Sequence, residues 1–281
     1  MQKFFFDKIC IVGVGLIGGS IGLAIKKKKI AKFVVGIVRR KQTAIQAVQK
    51  SAVDMATLDL KEGVRDADLM ILCAPVSTII RQLRQIAPYL KKSAIVTDVG
   101  SSKVEIEKAA RRHLKKNVFV GSHPMTGLAH TGVEFASADL FEGAQCFVTS
   151  QNSRVNQFWR ALGCRPVLLD AKKHDVWVAR ISYLPHLMAF SLFSGVTLGK
   201  FSKLRLKAEN PSLRDLSRIS KSNADLWADI LLSNSETRHA LGEFEKSVRD
   251  LARILRSGNV SRLKKIIQKA NKLSHQICPE S

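Results

Sequence analysis

The stretch from Ile9 to Ser20, ICIVGVGLIGGS, is an apolar run that ends in a cluster of glycines. Its glycines follow the pattern G-x-G-x-x-G directly after a predicted strand and at the start of a predicted helix. In that context the first glycine permits a tight turn, the second lets a pyrophosphate approach the backbone, and the third lets the helix pack against the strand. The helix N-terminus offers free N–H groups to a phosphate. We therefore predict a dinucleotide-binding loop, rather than a plain turn, formed by Gly13, Gly15, Leu16, Ile17 and Gly18.

Up to about residue 170, short apolar runs alternate with segments of helical spacing. The runs predict strands at residues 8–12, 33–38, 69–74, 94–98, 118–120, 146–149 and 165–169, and the segments between the early ones predict helices at 18–28, 41–50, 77–90 and 104–114. Strands that are apolar throughout and separated by helices indicate a parallel sheet covered on both faces. We predict a doubly wound, Rossmann-type α/β domain over residues 1–170.

Beyond Ala171 the strand signals stop. Helical spacing covers residues 174–197, where Pro185 predicts a kink or break, and continues over 213–232, 235–257 and 260–277. We predict an all-helical domain over residues 171–281, which forms a homodimer through its apolar helix faces. We also expect no further regulatory domain, so that any feedback by product would act at the active site.

The 281-residue chain has a formal net charge of +23, which suggests an anionic partner. The basic residues are spread along the whole chain and aromatic residues make up only 6%, so we expect a small anionic ligand and no specific nucleic acid. The five cysteines are scattered without a C-x-x-C pair, which predicts reduced thiols, no metal site and a cytoplasmic protein. Apolar runs such as residues 69–76 are too short to cross a bilayer, so we expect no membrane segment.

The end of the second predicted strand indicates which dinucleotide binds. An NAD site usually has an acidic residue there for the ribose hydroxyls, whereas this chain has Arg39 and Arg40 in the run VGIVRRK. Guanidinium groups suit the extra 2′-phosphate of NADP. We predict NADP, with NAD as the alternative cofactor and a solvated basic face as the alternative explanation of the arginines.

Three more stretches lie where predicted strands end, which is where such sheets bind ligands. They are CAPV at residues 73–76, TDVGSSK at 97–103 and GSHPMTG at 121–127. From these we predict cofactor contacts at Ala74, Pro75 and Asp98. His123 lies in a predicted loop bounded by glycine and proline, which favours a functional role over a structural one.

Five motifs in order, GVGLIGGSIGLAI, DVGSSK, GSHPMTG, SYLPH and LSRISKS, resemble those of the prephenate/arogenate dehydrogenases of tyrosine biosynthesis. The resemblance spans residues 8 to about 251. It implies an N-terminal nucleotide domain, a helical dimerisation domain, and oxidation of a cyclohexadienol ring with loss of CO2. The two arginines after the second strand are similar to those of the NADP-dependent arogenate dehydrogenases.

The resemblance also implies roles for single residues. His123 matches the catalytic histidine that accepts a hydrogen bond or proton from the substrate hydroxyl, and Ser101 matches the serine that positions that hydroxyl and the nicotinamide. Arg218 matches the arginine that binds the substrate carboxylate. Arg214, four residues earlier in the stretch RDLSRISK, is predicted as a further substrate contact. His186 matches a histidine facing the same cleft.

The chain departs from the family pattern at three places. Leu128-Ala129 replaces Thr-Glu, Tyr183 replaces a histidine, and Glu209-Asn-Pro-Ser212 replaces a glycine-rich turn. Two other functions are weighed: a β-hydroxyacid dehydrogenase, disfavoured because Lys172 and Lys173 are the only lysines of the first long helix, and a non-catalytic basic nucleotide-binding protein.

Overall fold

The computed structural model describes residues 6–127, 130–196 and 211–277. Six parallel strands form the main sheet in the order β3-β2-β1-β4-β5-β6. They are β1 Phe6–Val12, β2 Ala31–Ile37, β3 Met55–Thr57, β4 Leu69–Leu72, β5 Ile95–Asp98 and β6 Val118–Val120. The strand order reverses between β1 and β4, and ligands bind at the carboxyl ends of the strands at such a point. The prediction of a doubly wound Rossmann-type sheet is confirmed.

Helices cover both faces of this sheet. The connecting helices are α1 Leu16–Lys27, α2 Lys41–Gln49, α3 Leu60–Val64, α4 Val76–Ile86 and α5 Val104–His113. Along β1, Ile9 and Ile11 belong to one buried cluster, and Cys10 and Val12 belong to the other. Alternate side chains of one strand therefore serve two cores, which explains why the strand is apolar without interruption from Ile9 to Val12.

A second sheet of three strands follows the main one. It contains β7 Ser122–Pro124, β8 Gln145–Val148 and β9 Arg165–Leu168, and helix α6 Ser153–Ala161 lies between β8 and β9. The predicted loop around His123 is in fact strand β7, paired antiparallel with β8 so that His123 lies opposite Phe147. The polar sequence Ser-His-Pro gave no alternating signal, because this short strand is defined by its partner.

The helical part begins with α7 Ala171–Val178, a π-helical turn Ala179–Tyr183, α8 Leu184–Ser191 and a second π-helical turn Leu192–Val196. The predicted break at Pro185 is present as the π-helical turn that ends just before it. Proline has no N–H to continue the α-helical hydrogen bonds, and a π-helical turn accommodates that interruption.

Two helices replace the single segment predicted over residues 213–232. They are α9 Pro211–Ser220 and α10 Ala224–Ser233. The break occurs at Asn223, whose side chain accepts a hydrogen bond from the backbone N–H of Leu226 and so caps α10.

The described residues up to Asn234 form one compact unit, and those from Ser235 onward form a second. The second unit contains α11 Glu236–Ser257 and α12 Val260–Ile277. Gly258, at φ +63°, ends α11 in the left-handed conformation, which glycine adopts readily. The domain boundary at residue 170 stays a prediction.

One helical run among the described residues, Ala171–Gly195, is long and apolar enough to cross a membrane, judged by length and composition alone. It is longer than the apolar runs weighed from the sequence. Its first turns include His174 and Asp175, which are both buried and bonded to the strand and helix beside them. These contacts tie the start of the run to the folded domain, whereas only 22% of its most apolar stretch is buried.

Candidate functional site

The glycine loop has the geometry of a phosphate cradle. Helix α1 begins at Leu16 with Gly15 as its N-cap, and neither a capping side chain nor an acidic residue occupies its first turn. Gly13 has φ +99°, and a Cβ there would lie 2.2 Å from the carbonyl oxygen of Cys73. A Cβ on Gly15 would meet nothing within 4 Å, so open space faces the free N–H groups. These residues fit a dinucleotide pyrophosphate.

A cleft of about 1350 Å³ extends from this loop. Five basic side chains and two acidic ones line it: Arg39, Arg40, Lys61, Arg81 and Arg84 against Asp59 and Glu134. Asp59 already accepts hydrogen bonds from the backbone N–H groups of Lys61 and Glu62 as the cap of α3. The cleft is therefore suited to a strongly anionic ligand.

The predicted cofactor contacts other than Asp98 divide into two groups. Those that line the cleft are Gly13, Gly15, Arg39, Arg40, Ala74 and Pro75. Leu16, Ile17 and Gly18 form the first turn of α1 behind it, and a Cβ on Gly18 would lie 2.1 Å from the carbonyl oxygen of Gly13. The third glycine thus lets the helix pack close to the loop.

His123 is the first member of a chain of hydrogen bonds. Its Nδ1 lies 2.9 Å from Nε2 of His174, whose Nδ1 lies 2.8 Å from Oδ1 of Asp175. Asp175 also accepts the backbone N–H groups of Lys103 and Val104, at the start of α5. The chain therefore links β7 to α7 and α5.

The donors and acceptors in this series of hydrogen bonds determine the tautomers of His123 and His174. A carboxylate can only accept, so Nδ1 of His174 carries a proton and its Nε2 has a lone pair. That lone pair accepts the Nδ1 proton of His123, which leaves the lone pair of His123 on Nε2. His123 can thus accept a proton or hydrogen bond through Nε2.

Both imidazoles are neutral at pH 7. Burial lowers the pKa of His123 well below its ordinary value of 6.5, and the nearby His174 and Lys103 lower it further. Burial also lowers the pKa of His174, although the hydrogen bond to Asp175 opposes this effect. A neutral imidazole is the form that can act as a base.

A buried ion pair lies next to this chain. Lys103 and Asp98 are both completely buried, and the ammonium group donates to the Asp98 carboxylate. That carboxylate also accepts the backbone N–H groups of Gly100 at 2.8 Å and Ser122 at 3.1 Å. Burial raises the pKa of Asp98, and the Lys103 ammonium opposes the rise. The Asp98 side chain faces the interior of the protein. A direct contact between Asp98 and the cofactor remains a prediction.

Ser101 lies in the turn between β5 and α5, three residues beyond the end of β5. Its backbone carbonyl accepts a hydrogen bond from the hydroxyl of Tyr183, at the end of the first π-helical turn. Tyr183, where the sequence departs from the family pattern, is completely buried, and burial raises the pKa of its hydroxyl. The departure thus adds a hydroxyl that fixes the Ser101 backbone.

His186 lies in an aromatic cluster. Its ring stacks on Trp227 with centroids 3.5 Å apart, and Trp227 also contacts the edges of Tyr183 and Phe190. Nδ1 of His186 lies 2.8 Å from the carbonyl oxygen of Ser182, so this nitrogen carries a proton and Nε2 has the lone pair. Burial lowers the pKa of His186, and the positive charge of Arg218 lowers it further.

Arg218 and Arg214 lie one turn apart on α9, and both are exposed. The electrostatic effect of Arg218 on His186 brings these two predicted substrate contacts into one region. The departures at Leu128-Ala129 and residues 209–210 lie outside the described residues.

Sequence reasoning missed four residues of this network, His174, Asp175, Lys103 and Trp227. Lys103 belongs to the quoted motif DVGSSK, and His174-Asp175 follows the capping Asp170 at the start of α7. The only signal for them in the sequence was the adjacent pair His174-Asp175 in a buried helical turn. The partner of His174, His123, lies 51 residues away in the chain.

Comparison with known proteins finds matches over most of the chain. The family model for the prephenate dehydrogenase nucleotide-binding domain matches residues 21–164, and that for the prephenate dehydrogenase dimerization domain matches residues 170–269. A prephenate dehydrogenase of Lactococcus lactis subsp. cremoris is 34% identical over 250 residues, which cover 87% of this chain and 70% of the relative.

Two solved structures are similar over nearly their whole length. Prephenate dehydrogenase from A. aeolicus, in complex with hydroxyphenyl propionate and NAD+, has a TM-score of 0.86 at 26% identity and covers 96% of this chain and 98% of its own. Arogenate dehydrogenase from Synechocystis has a TM-score of 0.80 at 27% identity, with coverages of 96% and 99%.

Proposed function

The chain belongs to the prephenate dehydrogenase family, and on that premise we propose that it catalyses the NADP-dependent oxidative decarboxylation of prephenate or arogenate. The products would be 4-hydroxyphenylpyruvate or tyrosine, which places the enzyme in tyrosine biosynthesis. The observation that carries the proposal is the chain His123–His174–Asp175, which leaves Nε2 of a neutral histidine free to accept a proton.

The reaction needs a hydride acceptor and a group that stabilises the hydroxyl as its carbon is oxidised. A bound nicotinamide dinucleotide supplies the oxidised ring that takes the hydride. As the hydride leaves the carbinol carbon, the hydroxyl becomes acidic, and the ring carboxylate departs as CO2 to make the ring aromatic. The protein's own groups must therefore bind two anionic molecules and hold one proton acceptor at the hydroxyl.

His123 is the proposed proton acceptor. Its low pKa keeps the imidazole neutral, and the proton on Nδ1 is held by His174. Nε2 then accepts the hydrogen bond of the substrate hydroxyl, which strengthens as the hydroxyl becomes acidic. Ser101 is proposed to position the same hydroxyl, with its backbone held by Tyr183.

Arg218, Arg214 and His186 are the proposed substrate-binding groups. A guanidinium group forms two parallel hydrogen bonds with a carboxylate, and both prephenate and arogenate carry carboxylates. Arg218 and Arg214 are exposed on one face of α9 and are available for that contact. His186 is held against Trp227 with its Nε2 lone pair available to a donor on the ligand.

The choice of NADP rests on the arginines at the end of β2. Arg39 and Arg40 are exposed, line the cleft, and have no carboxylate beside them in the sequence from residue 35 to 41. A ribose 2′-phosphate would find two guanidinium groups there, whereas the ribose hydroxyls of NAD would find no acidic acceptor in this stretch after β2. The A. aeolicus complex contains NAD+, so both nucleotides belong in the test.

We further propose a cytoplasmic homodimer. Residues 170–269 match the dimerization domain of the family. Within the second unit, Leu255, Val260, Ile267 and Ile277 are large apolar side chains that are at least half exposed. Sedimentation velocity of the purified protein would give a species of twice the chain mass.

The direct test is an absorbance assay of reduced nucleotide, with prephenate and arogenate each offered with NADP+ and NAD+. The proposal expects turnover of at least one substrate and a kcat/KM at least about tenfold higher with NADP+. Absence of turnover with both substrates would reject the proposed reaction, and a preference for NAD+ would reject the cofactor assignment alone.

A further inference from the structure

Lys103 makes more contacts to the catalytic region than the proposed chemistry explains. Its side chain is completely buried, and its ammonium group donates to the Asp98 carboxylate and, at 2.8 Å, to the carbonyl oxygen of Ser122. Its backbone N–H donates to Asp175 at 2.8 Å. One residue therefore touches both of the carboxylates that flank the His123–His174 chain.

The ion pair holds both backbone polar groups of Ser122. Oδ1 of Asp98 accepts its N–H, and Nζ of Lys103 donates to its carbonyl. The carbonyl of Ser122 belongs to the peptide plane that leads into His123. Because that plane is fixed by a charge-assisted bond inside the protein, the start of the His123 side chain is fixed as well.

Stability alone does not account for this arrangement. Burying two charges costs solvation free energy, and apolar residues of similar volume usually stabilise a core as well or better. The buried pair is better explained by the backbone that it holds in place. Here it holds the strand that carries the proposed catalytic imidazole, at the carboxyl end of β5.

We propose that Lys103, paired with Asp98, is a positioning residue that holds the Ser122–His123 peptide and sets the electrostatic surroundings of the His123 imidazole. This inference rests on the proposed function, because it gives Lys103 a task in the reaction that His123 performs. Asp98 thereby acts through Lys103 and Ser122, in addition to the cofactor contact predicted for it.

The charged groups around His123 determine in which direction its pKa should shift when one of them is removed. It is faced by Lys103 from the turn before α5, by Asp98 from β5, by His174 and Asp175 from α7, and by the Cys146 thiol from β8. Burial raises the pKa of Cys146 well above its ordinary value, so the thiol is neutral. The Lys103 ammonium is the nearby positive charge, and it disfavours a second positive charge on the imidazole. Its removal should make His123 easier to protonate.

The experiment compares Lys103→Met with the wild type and with Lys108→Met. Lys108 is an exposed lysine of α5 that pairs with Glu105, and it serves as the matched control. Because Lys103→Met leaves Asp98 unpaired, the double variant Asp98→Asn/Lys103→Met removes both charges and guards against failure to fold. Each protein is titrated by NMR with labelled histidine rings, the His123 signal being assigned by its absence in His123→Asn.

The proposal expects the midpoint of His123 to rise by about one pH unit in Lys103→Met, to rise by less in the double variant because the Asp98 charge is lost as well, and to stay unchanged in Lys108→Met. It also expects kcat to fall about 10- to 100-fold, with KM for the nucleotide within about twofold of the wild type. An unchanged midpoint in a folded variant would overturn the proposal, as would failure of both Lys103 variants to fold, because the pair would then serve stability alone. If the wild type turns over neither substrate, the proposed function fails, whereas the titration still reports on Lys103.

Discussion

Nδ1 of His123 lies 2.9 Å from Nε2 of His174, and this contact joins the two halves of the catalytic region. His123 belongs to β7, a short strand of the second sheet, and His174 belongs to the first helix that follows that sheet. The reactive form of one imidazole is thus decided by a residue 51 positions later in the chain.

The His174 ring is expected to control the tautomer of His123. His174→Phe keeps an aromatic ring beside Phe147 but removes both hydrogen bonds, so Nδ1 of His123 loses its acceptor. We expect kcat to fall about 10- to 100-fold, since the lone pair of His123 is then no longer confined to Nε2. Steady-state kinetics measure this effect. His239→Phe, at an exposed position, is the control, and equal activities in the two variants would contradict the tautomer assignment.

Tyr183 is expected to hold the Ser101 turn. Tyr183→Phe removes a single oxygen atom and leaves the Ser101 carbonyl without that donor. We expect the free energy of unfolding to fall by about 1 kcal/mol, and kcat to fall more than KM for the nucleotide changes. Urea unfolding and kinetics test this. Tyr89, the other tyrosine, is 43% exposed, and Tyr89→Phe should leave both quantities at wild-type values. A wild-type kcat in Tyr183→Phe would show that the Tyr183 hydroxyl does not contribute to turnover.

Gly13 and Gly15 are expected to fail in different ways when changed to alanine. At Gly13 the positive φ and the carbonyl oxygen 2.2 Å from a new Cβ oppose folding, so Gly13→Ala should lower the free energy of unfolding by at least about 1 kcal/mol. At Gly15 a new Cβ meets no protein atom, so Gly15→Ala should fold normally and bind the nucleotide on the order of tenfold more weakly. Thermal unfolding and nucleotide titration separate the two effects. Full nucleotide affinity in Gly15→Ala would place the pyrophosphate elsewhere.

Arg39 and Arg40 are expected to discriminate between the nucleotides. The double variant Arg39→Ala/Arg40→Ala should weaken NADP+ binding by about 10- to 100-fold, because two charge-assisted contacts to the 2′-phosphate are lost, and should change NAD+ binding by less than about threefold. Fluorescence titration with each nucleotide measures this. Arg111→Ala, on the exposed side of α5, controls for net charge. Equal losses for both nucleotides would reject the 2′-phosphate contact.

The nucleotide-binding fold could be predicted because its determinants are local. Strand β1 is apolar without interruption from Ile9 to Val12, and glycines needed for the tight turn and for close packing follow it directly. Strand β3 and helix α3 were not predicted, since three to five residues carry too little periodicity to be recognised. The break at Asn223 required attention to a capping residue inside a segment of otherwise continuous helical spacing.

The site could be predicted only where a motif carried it. His123, Ser101 and His186 stand in recognisable motifs, whereas His174 and Asp175 are two polar residues in an ordinary amphipathic turn. Their role follows from contacts to residues 51 and 72 positions away, at His123 and Lys103. Sequence spacing does not encode such contacts.

The most direct test of the account is the pH dependence of kcat/KM in the wild type and in His123→Asn. The pKa of His123 is lowered below 6.5, so the wild type should keep its activity through neutral pH and lose it only as the pH falls through that lowered pKa. His123→Asn should turn over about 10²-fold more slowly or worse, bind the nucleotide normally, and lack this acidic limb. A variant that retains near-wild-type kcat, or keeps the same acidic limb, would contradict the assignment of His123 as the proton acceptor.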